Sequence, residues 1–336
     1  MEKGRNLPKL DINVTNSCNL RCRHCCFWSG ALPLGGMNCL EIMRLLDEFK
    51  QLGGTRIDIT GGEPLMRQDI GILLLLAIKN FGLKTELVTN SMLMTAVDLK
   101  EFKDAGLNEI AISLDGSTHE THSRIRGISE KAFEQVLKNI RAAVASGIKT
   151  KINSVVFASN FSDLADITRL AIDLGAREHG LYFFSPIGRG TMDAANVASA
   201  LEWLKKIRQD LLPLADKIKI SLEVPLLETE IASRVETRCY LEDPWHLQIL
   251  PDGKVYPCAI MAAYGKPLGN LHHKTLSEIW QGERLWNGGY YNEHVLPLFQ
   301  KQGSCVEYPA FQNLLKSEKY RPVCLCRKFK PEEVAL

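Results

Sequence analysis

Three cysteines near the N-terminus, Cys18, Cys22 and Cys25, have the spacing C-x3-C-x2-C. A [4Fe–4S] cluster held by protein alone normally takes four thiolates, so three thiolates leave one iron open. An open coordination position is what a metal site needs in order to admit a chelating substrate or cofactor. The alternative interpretation is a structural zinc knuckle, which locally only His24 would complete.

Further glycines and polar residues follow the next predicted strands. They are TGGEP at 60–64, Thr89-Asn90-Ser91, and Ser113-Leu114-Asp115-Gly116. In a parallel sheet the working residues lie on the loops after the carboxyl ends of the strands, so we expect these segments to meet the cysteines at one mouth. The two glycines of TGGEP would let the backbone approach a bound ligand closely.

Alternating strand and helix patterns predict the elements that position these residues. Six β-branched runs predict buried strands, and several of the helix-period segments between them close on glycine. Parallel neighbours need a helix-length connection, so the fold class is α/β, with the sheet closed as a barrel or, with six units, as a partial (β/α)6 TIM barrel. The predicted strands are 9–16, 55–60, 84–90, 108–115, 149–157 and 178–186, and the predicted helices are 39–52, 68–81, 95–105, 130–146, 163–174 and a long one around 193–212.

Composition limits the classes of protein. The chain has 336 residues, 45% of them hydrophobic, and a formal net charge of +2, which is enough for about two domains. The balanced charge argues against nucleic acid as a partner, and no apolar run is long enough for a membrane span. Without a secretory signal we expect a cytoplasmic protein whose ten cysteines are reduced. Cys26 and Cys39 are expected to be buried and unligated.

The second half of the chain has a different pattern. The alternation stops after about residue 190, and residues 217–225 predict a strand. Pro-Asp-Gly between two alternating runs at 245–258 predicts a hairpin whose far strand delivers Cys258. We therefore predict two domains, residues 1–215 as the partial barrel and residues 216–336 as a small α+β domain.

The motifs of the first half resemble the radical S-adenosylmethionine (SAM) superfamily, over about residues 9–190. The resemblance implies that Cys18, Cys22 and Cys25 bind a [4Fe–4S] cluster whose fourth iron is chelated by the amino and carboxylate groups of SAM. An electron from the cluster then cleaves SAM to a 5′-deoxyadenosyl radical, which abstracts a hydrogen atom from a substrate. The implied SAM contacts are Gly61, Gly62 and Glu63 for the methionine amino group, and Asn90, Ser113, Arg126 and Asn153 for the ribose and carboxylate.

The second half resembles the SPASM and twitch extensions of that superfamily, which carry auxiliary iron–sulfur clusters. Cys239, Gly253 and Cys258 form the pattern C-x13-G-x4-C. A full SPASM pattern needs seven cysteines and five are present here, so we expect one auxiliary [4Fe–4S] cluster, as in the twitch form. Its expected ligands are Cys239, Cys258, Cys324 and Cys326, with Cys305 either an alternative ligand, an unligated thiol or a hydrogen-atom donor to the substrate radical.

Two other segments have open interpretations. In FSPIGRG, Arg189 either binds an anionic or carbonyl group over the barrel mouth or belongs to a flexible link. The segment 117–127 contains His119 and His122, yet we expect a solvated loop whose useful member is Arg126, suited to binding a carboxylate.

Together these features predict a radical SAM enzyme of oxidoreductase or epimerase type. The favoured substrate is a peptide or natural-product precursor that is crosslinked, epimerised or oxidised. The alternatives are a dehydrogenase or epimerase of a sugar or cyclitol, and a non-catalytic iron–sulfur electron carrier or scaffold. Only about seventeen residues precede Cys18, which favours a small molecule or a leaderless peptide. An external reductant such as flavodoxin or ferredoxin is expected, and no nucleic-acid or membrane partner.

Overall fold

The computed structural model describes residues 6–30, 36–234, 244–302, 306, 319–322 and 328–334. Its strands are β1 Lys9–Asn13, β2 Arg56–Thr60, β3 Lys84–Thr89, β4 Glu109–Ser113, β5 Lys149–Val156, β6 Glu178–Phe183, β7 Lys219–Leu222, β8 Leu226–Glu228, β9 His246–Ile249, β10 Lys254–Tyr256, β11 Gly269–Asn270 and β12 Tyr320–Pro322. Its α-helices are α1 Cys39–Gln51, α2 Ile70–Leu75, α3 Ala96–Ala105, α4 His119–Arg126, α5 Glu130–Ala145, α6 Leu164–Asp173, α7 Ala200–Lys206, α8 Thr229–Ala232, α9 Ala259–Ala263, α10 Leu276–Trp280, α11 Glu283–Trp286, α12 Leu296–Gln302 and α13 Pro331–Val334.

The six predicted strands form the centre of one open sheet. Strands β1 to β6 lie side by side in chain order and each pairs with the next in parallel. This confirms the α/β fold class and the partial barrel, because a helical connection crosses between each pair of strands. The carboxyl ends of all six strands therefore lie along one edge of the sheet.

Residues from the second half extend this sheet at both edges. Strand β7 pairs in parallel with β6, and β9 pairs in parallel with β1 at the opposite edge. The predicted hairpin is confirmed as β9 and β10, which pair in antiparallel fashion, and β11 follows β10. The division of the chain at residue 215 stays a prediction, with β7 placed in the same sheet as the barrel strands.

Alternate residues of the strands point to opposite faces of the sheet, one apolar and one charged. On β1, Leu10 and Ile12 are buried in the main hydrophobic core, whereas Lys9 and Asp11 point to the opposite face. There Lys9 Nζ lies 2.9 Å from Asp11 Oδ1 and 2.6 Å from Asp58 Oδ2. Lys9 is the first residue of β1, and Asp11 and Asp58 lie opposite each other in the middle of β1 and β2.

Helices α1 and α10 both begin with a capping box. Asn38 Oδ1 accepts from the Glu41 amide at 3.0 Å, and Glu41 Oε2 accepts from the Asn38 amide at 2.8 Å, which completes the capping box of α1. Thr275 and Glu278 form the same box at α10. None of the described helices is long and apolar enough to cross a membrane.

Two sequence predictions about helices are wrong. Residues 117–127 contain helix α4 and not a solvated loop, because Thr118 caps its start and Gly127, at φ +70°, ends it in the left-handed region. The long helix around 193–212 is interrupted, since residues 188–196 form 3₁₀ turns with a non-helical Asp193 and α7 starts only at Ala200. In the second case Ser199 caps the start of α7 by accepting from the Glu202 amide, so the helix begins there.

A prediction concerns the buried histidine of β6. His179 Nε2 lies 2.8 Å from Ser154 Oγ, its Nδ1 lies 3.0 Å from Thr168 Oγ1, and burial lowers its pKa to about 3. The unfolded chain therefore binds a proton that the folded chain excludes, so this contribution to stability is full above pH 6.5 and is lost as the pH falls towards 3. The His179→Gln variant should flatten the pH dependence of the unfolding free energy between pH 6.5 and 5 by about 1.4 kcal/mol per pH unit.

Chemical denaturation of the anaerobic protein at several pH values measures this slope. The exposed His273 provides the control, because a His273→Gln variant should keep the wild-type slope. Equal slopes in the His179→Gln variant and the wild type would contradict the prediction.

Candidate cofactor site

The loop after β1 presents the three predicted cysteine ligands. Two of the sulfurs accept hydrogen bonds from backbone amides of the same loop, Cys18 Sγ from Leu20 at 3.4 Å and Cys25 Sγ from Ser29 at 3.3 Å. Backbone donors to sulfur are a common feature of loops whose cysteines ligate iron. The loop is therefore folded around its sulfur atoms.

The TGGEP segment packs directly against the start of the cysteine loop. Gly62 N donates to Thr15 O at 2.7 Å, and Glu63 N donates to Ser17 O at 2.8 Å. A Cβ atom would lie 2.4 Å from Thr15 O at Gly61 and 2.1 Å from Ser17 O at Gly62. Both glycines also line the cavity that contains the cysteines, so their expected approach to a ligand stays a prediction.

Glu63 connects this segment to the end of β3. Its buried carboxylate accepts from Thr89 Oγ1 at 2.6 Å, from Asn90 N at 2.8 Å and from Leu65 N at 3.1 Å. Burial raises the pKa of Glu63, while these donors oppose the shift. Asn90 then donates from Nδ2 to Asn19 Oδ1 at 2.8 Å, which links β3 to the cysteine loop.

The cysteines and most of the predicted SAM contacts share one cavity of about 220 Å³. Of the seven predicted SAM contacts, Glu63 and Asn153 do not line it. A larger cavity of about 660 Å³ lies between α2 and α3 and contains none of the predicted site residues. The residues that line the smaller cavity include Cys18, Cys22, Cys25, Gly61, Gly62, Asn90, Ser113 and Arg126.

Asn153 contributes a buried acceptor close to this cavity. It lies on β5 opposite Ser113 of β4. Its Oδ1 atom is buried and has no hydrogen-bond partner among the residues that the structure describes. An unsatisfied buried oxygen is costly, so this position suits a ligand that supplies a donor.

Burial affects the protonation of two of the three thiols. Burial raises the pKa of Cys18 to about 11, with the charges of Cys22 and Glu63 adding to the shift, and burial raises the pKa of Cys22 as well. Both thiols would be protonated at neutral pH unless a metal displaced the proton. Three thiols on one cavity, with a nearby unsatisfied acceptor, fit a [4Fe–4S] cluster that has an open position for SAM.

Arg189, which follows β6, lines the same cavity and holds the cysteine loop. It donates from Nη1 to Cys22 O at 3.0 Å, from Nη2 to Ser29 O at 2.8 Å and from its backbone N to Cys25 O at 2.9 Å. The guanidinium also lies 5.7 Å from the ring centroid of Trp28. Arg189 is therefore part of the loop's support, a role that neither interpretation of FSPIGRG anticipated.

We expect the Arg189→Lys variant to weaken the cluster loop. Lysine keeps the charge but cannot bind two carbonyls with one planar group, and a charged hydrogen bond contributes about 1.5–3 kcal/mol. Iron should therefore be lost to a chelator about tenfold faster or more at the N-terminal cluster. Release is followed by absorbance under anaerobic conditions, with Lys205→Met at an exposed helical position as the control. An unchanged release rate would contradict this role.

Arg126 and Asp115 form a second support beside Cys22. Both are buried, and Arg126 Nε donates to Asp115 Oδ2 at 2.6 Å while Nη1 lies 3.8 Å from Cys22 Sγ. Arg126 was predicted as a SAM contact, and Asp115 only as part of the segment at the mouth of the sheet. Its position two residues after β4 was the signal that its carboxylate could reach the cysteine loop.

Only part of the auxiliary site is described. Cys258 follows β10 at the start of α9, and its Sγ accepts from Met261 N at 3.4 Å. The other four candidate residues, Cys239, Cys305, Cys324 and Cys326, lie outside the described residues. Their assignment as ligands or donor therefore stays a prediction.

Family models match segments in both halves of the chain. The family model of the radical SAM superfamily matches residues 12–171, and that of an iron–sulfur cluster-binding domain, SPASM, matches residues 239–332. The chain is 34% identical over 191 residues to the AdoMet-dependent heme synthase of Oleidesulfovibrio alaskensis. That match covers 56% of this chain and 49% of the relative, so the chain spans about half the length of that relative.

Two further similarities cover nearly the whole chain. The antilisterial bacteriocin subtilosin biosynthesis protein AlbA of Bacillus subtilis is 26% identical over 334 residues, which are 96% of this chain and 71% of AlbA. The crystal structure of Streptococcus suis SuiB bound to precursor peptide SuiA aligns with a TM-score of 0.73 and 18% identity, over 96% of this chain and 76% of SuiB. The SuiB alignment shows the shared fold.

Proposed function

We propose that this chain is a radical SAM enzyme that modifies a peptide precursor by radical chemistry. Its residues 12–171 match the family model of the radical SAM superfamily, and residues 239–332 match that of the SPASM iron–sulfur domain. The observation that carries the proposal is the shared cavity. It brings the three cysteines together with the TGGEP segment and the ends of β3 and β4. The family binds a [4Fe–4S] cluster and SAM, and this cavity is the place where the described residues fit both.

The residues of the cavity have separate roles in the proposal. Cys18, Cys22 and Cys25 hold the cluster, which when reduced supplies the electron that cleaves SAM to a 5′-deoxyadenosyl radical. Gly61 and Gly62 keep the TGGEP segment against the cysteine loop. The polar groups at the ends of β3, β4 and β5 hold SAM, with Asn90, Ser113, Arg126 and Asn153 contacting its ribose and carboxylate.

A peptide substrate is favoured by one similarity that spans the chain. AlbA, named for the biosynthesis of the bacteriocin subtilosin, matches 96% of this chain. The SPASM-type domain then supplies an auxiliary cluster, proposed to be held by Cys239, Cys258, Cys324 and Cys326. That cluster would bind the substrate or accept an electron from the product radical, and the reductant would be a flavodoxin or ferredoxin.

A heme-forming reaction is the second candidate. The observation in its favour is the 34% identity to an AdoMet-dependent heme synthase, higher than the 26% identity to AlbA. A second AdoMet-dependent heme synthase, that of Methanosarcina barkeri, is 26% identical over 84% of this chain. Two relatives named for peptide products match as much or more of the chain, AlbA 96% and the PqqA peptide cyclase of Ruegeria pomeroyi 84%. The peptide therefore remains the favoured substrate. The experiment on substrate class must also include a heme precursor.

The first experiment tests SAM cleavage alone. Anaerobically reconstituted protein should contain about eight irons per chain and release 5′-deoxyadenosine with dithionite and SAM. Iron without SAM cleavage would contradict the proposal and would support a non-catalytic electron carrier or scaffold.

The second experiment tests the substrate class. The protein is co-expressed with short peptides encoded beside its gene, and mass spectrometry follows the loss of two hydrogen atoms per crosslink or oxidation, or deuterium uptake on epimerisation. A heme precursor and a set of sugars or cyclitols are tested in parallel. Turnover of one of these with no change in any peptide would overturn the peptide assignment.

Cys305 has its own test. If it donates a hydrogen atom, Cys305→Ala should still cleave SAM but should lose the stereochemical outcome of the wild type. Product with an unaltered configuration would remove Cys305 from consideration as a donor.

A further inference from the structure

The three sulfur atoms of the cysteine loop receive different kinds of hydrogen-bond donor. Cys18 and Cys25 accept from backbone amides inside the loop, at 3.4 and 3.3 Å. Cys22 instead has the guanidinium of Arg126 at 3.8 Å, contributed by the last residue of α4. In the part of the chain that the structure describes, Cys22 is thus the ligand candidate with a charged donor.

The position of Arg126 is fixed by Asp115. Asp115 is fully buried, and its two carboxylate oxygens have separate partners, Oδ2 accepting from Arg126 Nε at 2.6 Å and Oδ1 from Val155 N at 2.8 Å. Burial raises the pKa of Asp115, but Arg126, His24, His122 and the Val155 amide together outweigh it, so the pKa lies below its ordinary value. The carboxylate is therefore ionised and anchors one side of the guanidinium fork.

The chain from β4 to α4 is built to hold this pair. Asp115 N donates to His122 Nδ1 at 3.0 Å, and Asn160 Nδ2 donates to Asp115 O at 3.0 Å. A Cβ atom on Gly116 would lie 2.3 Å from His122 N, so the turn requires glycine to bring α4 this close. The backbone of Asp115 is therefore held on both sides, and its side chain has little freedom to move.

We propose that Asp115 is a positioning residue that holds Arg126 against the Cys22 sulfur and so raises the reduction potential of the SAM-binding cluster. This rests on the proposed function, because it assumes that Cys22 ligates that cluster. A donor to a ligating sulfur stabilises the more negative, reduced state, and hydrogen bonds to the sulfurs are among the factors that set cluster potentials. Arg126 acts in this way before SAM binds.

Redox titration of the cluster by electron paramagnetic resonance, without SAM, tests the proposal. Arg126→Lys keeps the charge and removes the guanidinium fork, so the ratio of reduced to oxidised cluster at a fixed potential should fall about tenfold, which is 59 mV for a one-electron couple. Asp115→Asn should lower the ratio in the same direction, although removal of a negative charge alone would raise it. Arg124→Met, at an exposed position of the same helix, removes one charge and should leave the ratio within about twofold of the wild type.

Measurements of iron content and SAM cleavage distinguish a failure of this proposal from a failure of the proposed function. An Arg126→Lys ratio equal to the wild type, or a higher ratio in Asp115→Asn, overturns the proposal while leaving the proposed function intact. Loss of the cluster from both variants would mean that the pair only supports folding, and this also overturns it. If the wild type itself holds no cluster at Cys22, the proposed function fails first.

Discussion

Replacement of Cys22 by serine is expected to abolish reductive cleavage of SAM. Cys22 lines the shared cavity with Cys18 and Cys25, and the loop surrounds their sulfurs with donors. Loss of an outer partner of a metal ligand typically costs 10–100-fold, so loss of a direct ligand should cost at least about 1000-fold. Release of 5′-deoxyadenosine from SAM and dithionite measures the effect.

The control for this variant is another cysteine near the same end of the chain. Cys39 starts helix α1 and does not line the cavity, so Cys39→Ser should keep both its iron and its SAM cleavage. Wild-type cleavage in Cys22→Ser would show that the cluster is held elsewhere.

Gly62→Ala is expected to separate the TGGEP segment from the cysteine loop. The new Cβ atom would lie 2.1 Å from Ser17 O, a contact with backbone that cannot rotate away. Overpacking of this kind costs about 1–3 kcal/mol, and the required shift falls on the loop that carries Cys18. We expect lower stability and a loss of most of the iron at the N-terminal cluster, measured by denaturation and by iron analysis after reconstitution.

The same substitution at Gly71 gives a matched comparison. Gly71 lies in helix α2, and the nearest atom to an added Cβ would be Glu101 Oε2 at 3.4 Å. Alanine is favoured over glycine inside helices by about 1 kcal/mol, so Gly71→Ala should keep its iron and gain slightly in stability. Equal iron content in the two alanine variants would refute the crowding argument.

Local patterns in the sequence predict the central sheet well. The six strands occur within a few residues of their predicted bounds, because β-branched runs and glycine stops are local signals. We predicted that residues after the strand ends would lie close together, and the cysteines, Gly62 and Ser113 do line one cavity.

Long-range pairing was not predictable in the same way. The local sequence of residues 246–249 does not indicate that β9 pairs with β1, which lies more than 200 residues earlier in the chain. A strand pattern fixes which face is apolar but not which edge accepts the strand. For the same reason the hairpin was predicted correctly and its place in the main sheet was not.

The supporting residues of the site were missed because they act through partners. Arg189 was read as an anion-binding residue or part of a link, yet it binds the carbonyls of Cys22 and Ser29. Asp115 acts through Arg126, which is eleven residues further along the chain. Residue type and spacing indicate ligands directly, whereas such contacts depend on how the loops pack.

The most direct test of the account is whether SAM binds the cluster that these three cysteines hold. Electron–nuclear double resonance of the reduced protein with SAM labelled with ¹⁵N at the methionyl amine should show nitrogen coupled to the cluster, and the coupling should vanish in Cys22→Ser. No coupling in the wild type, with the cysteines instead bound to a closed tetrahedral zinc, would contradict it.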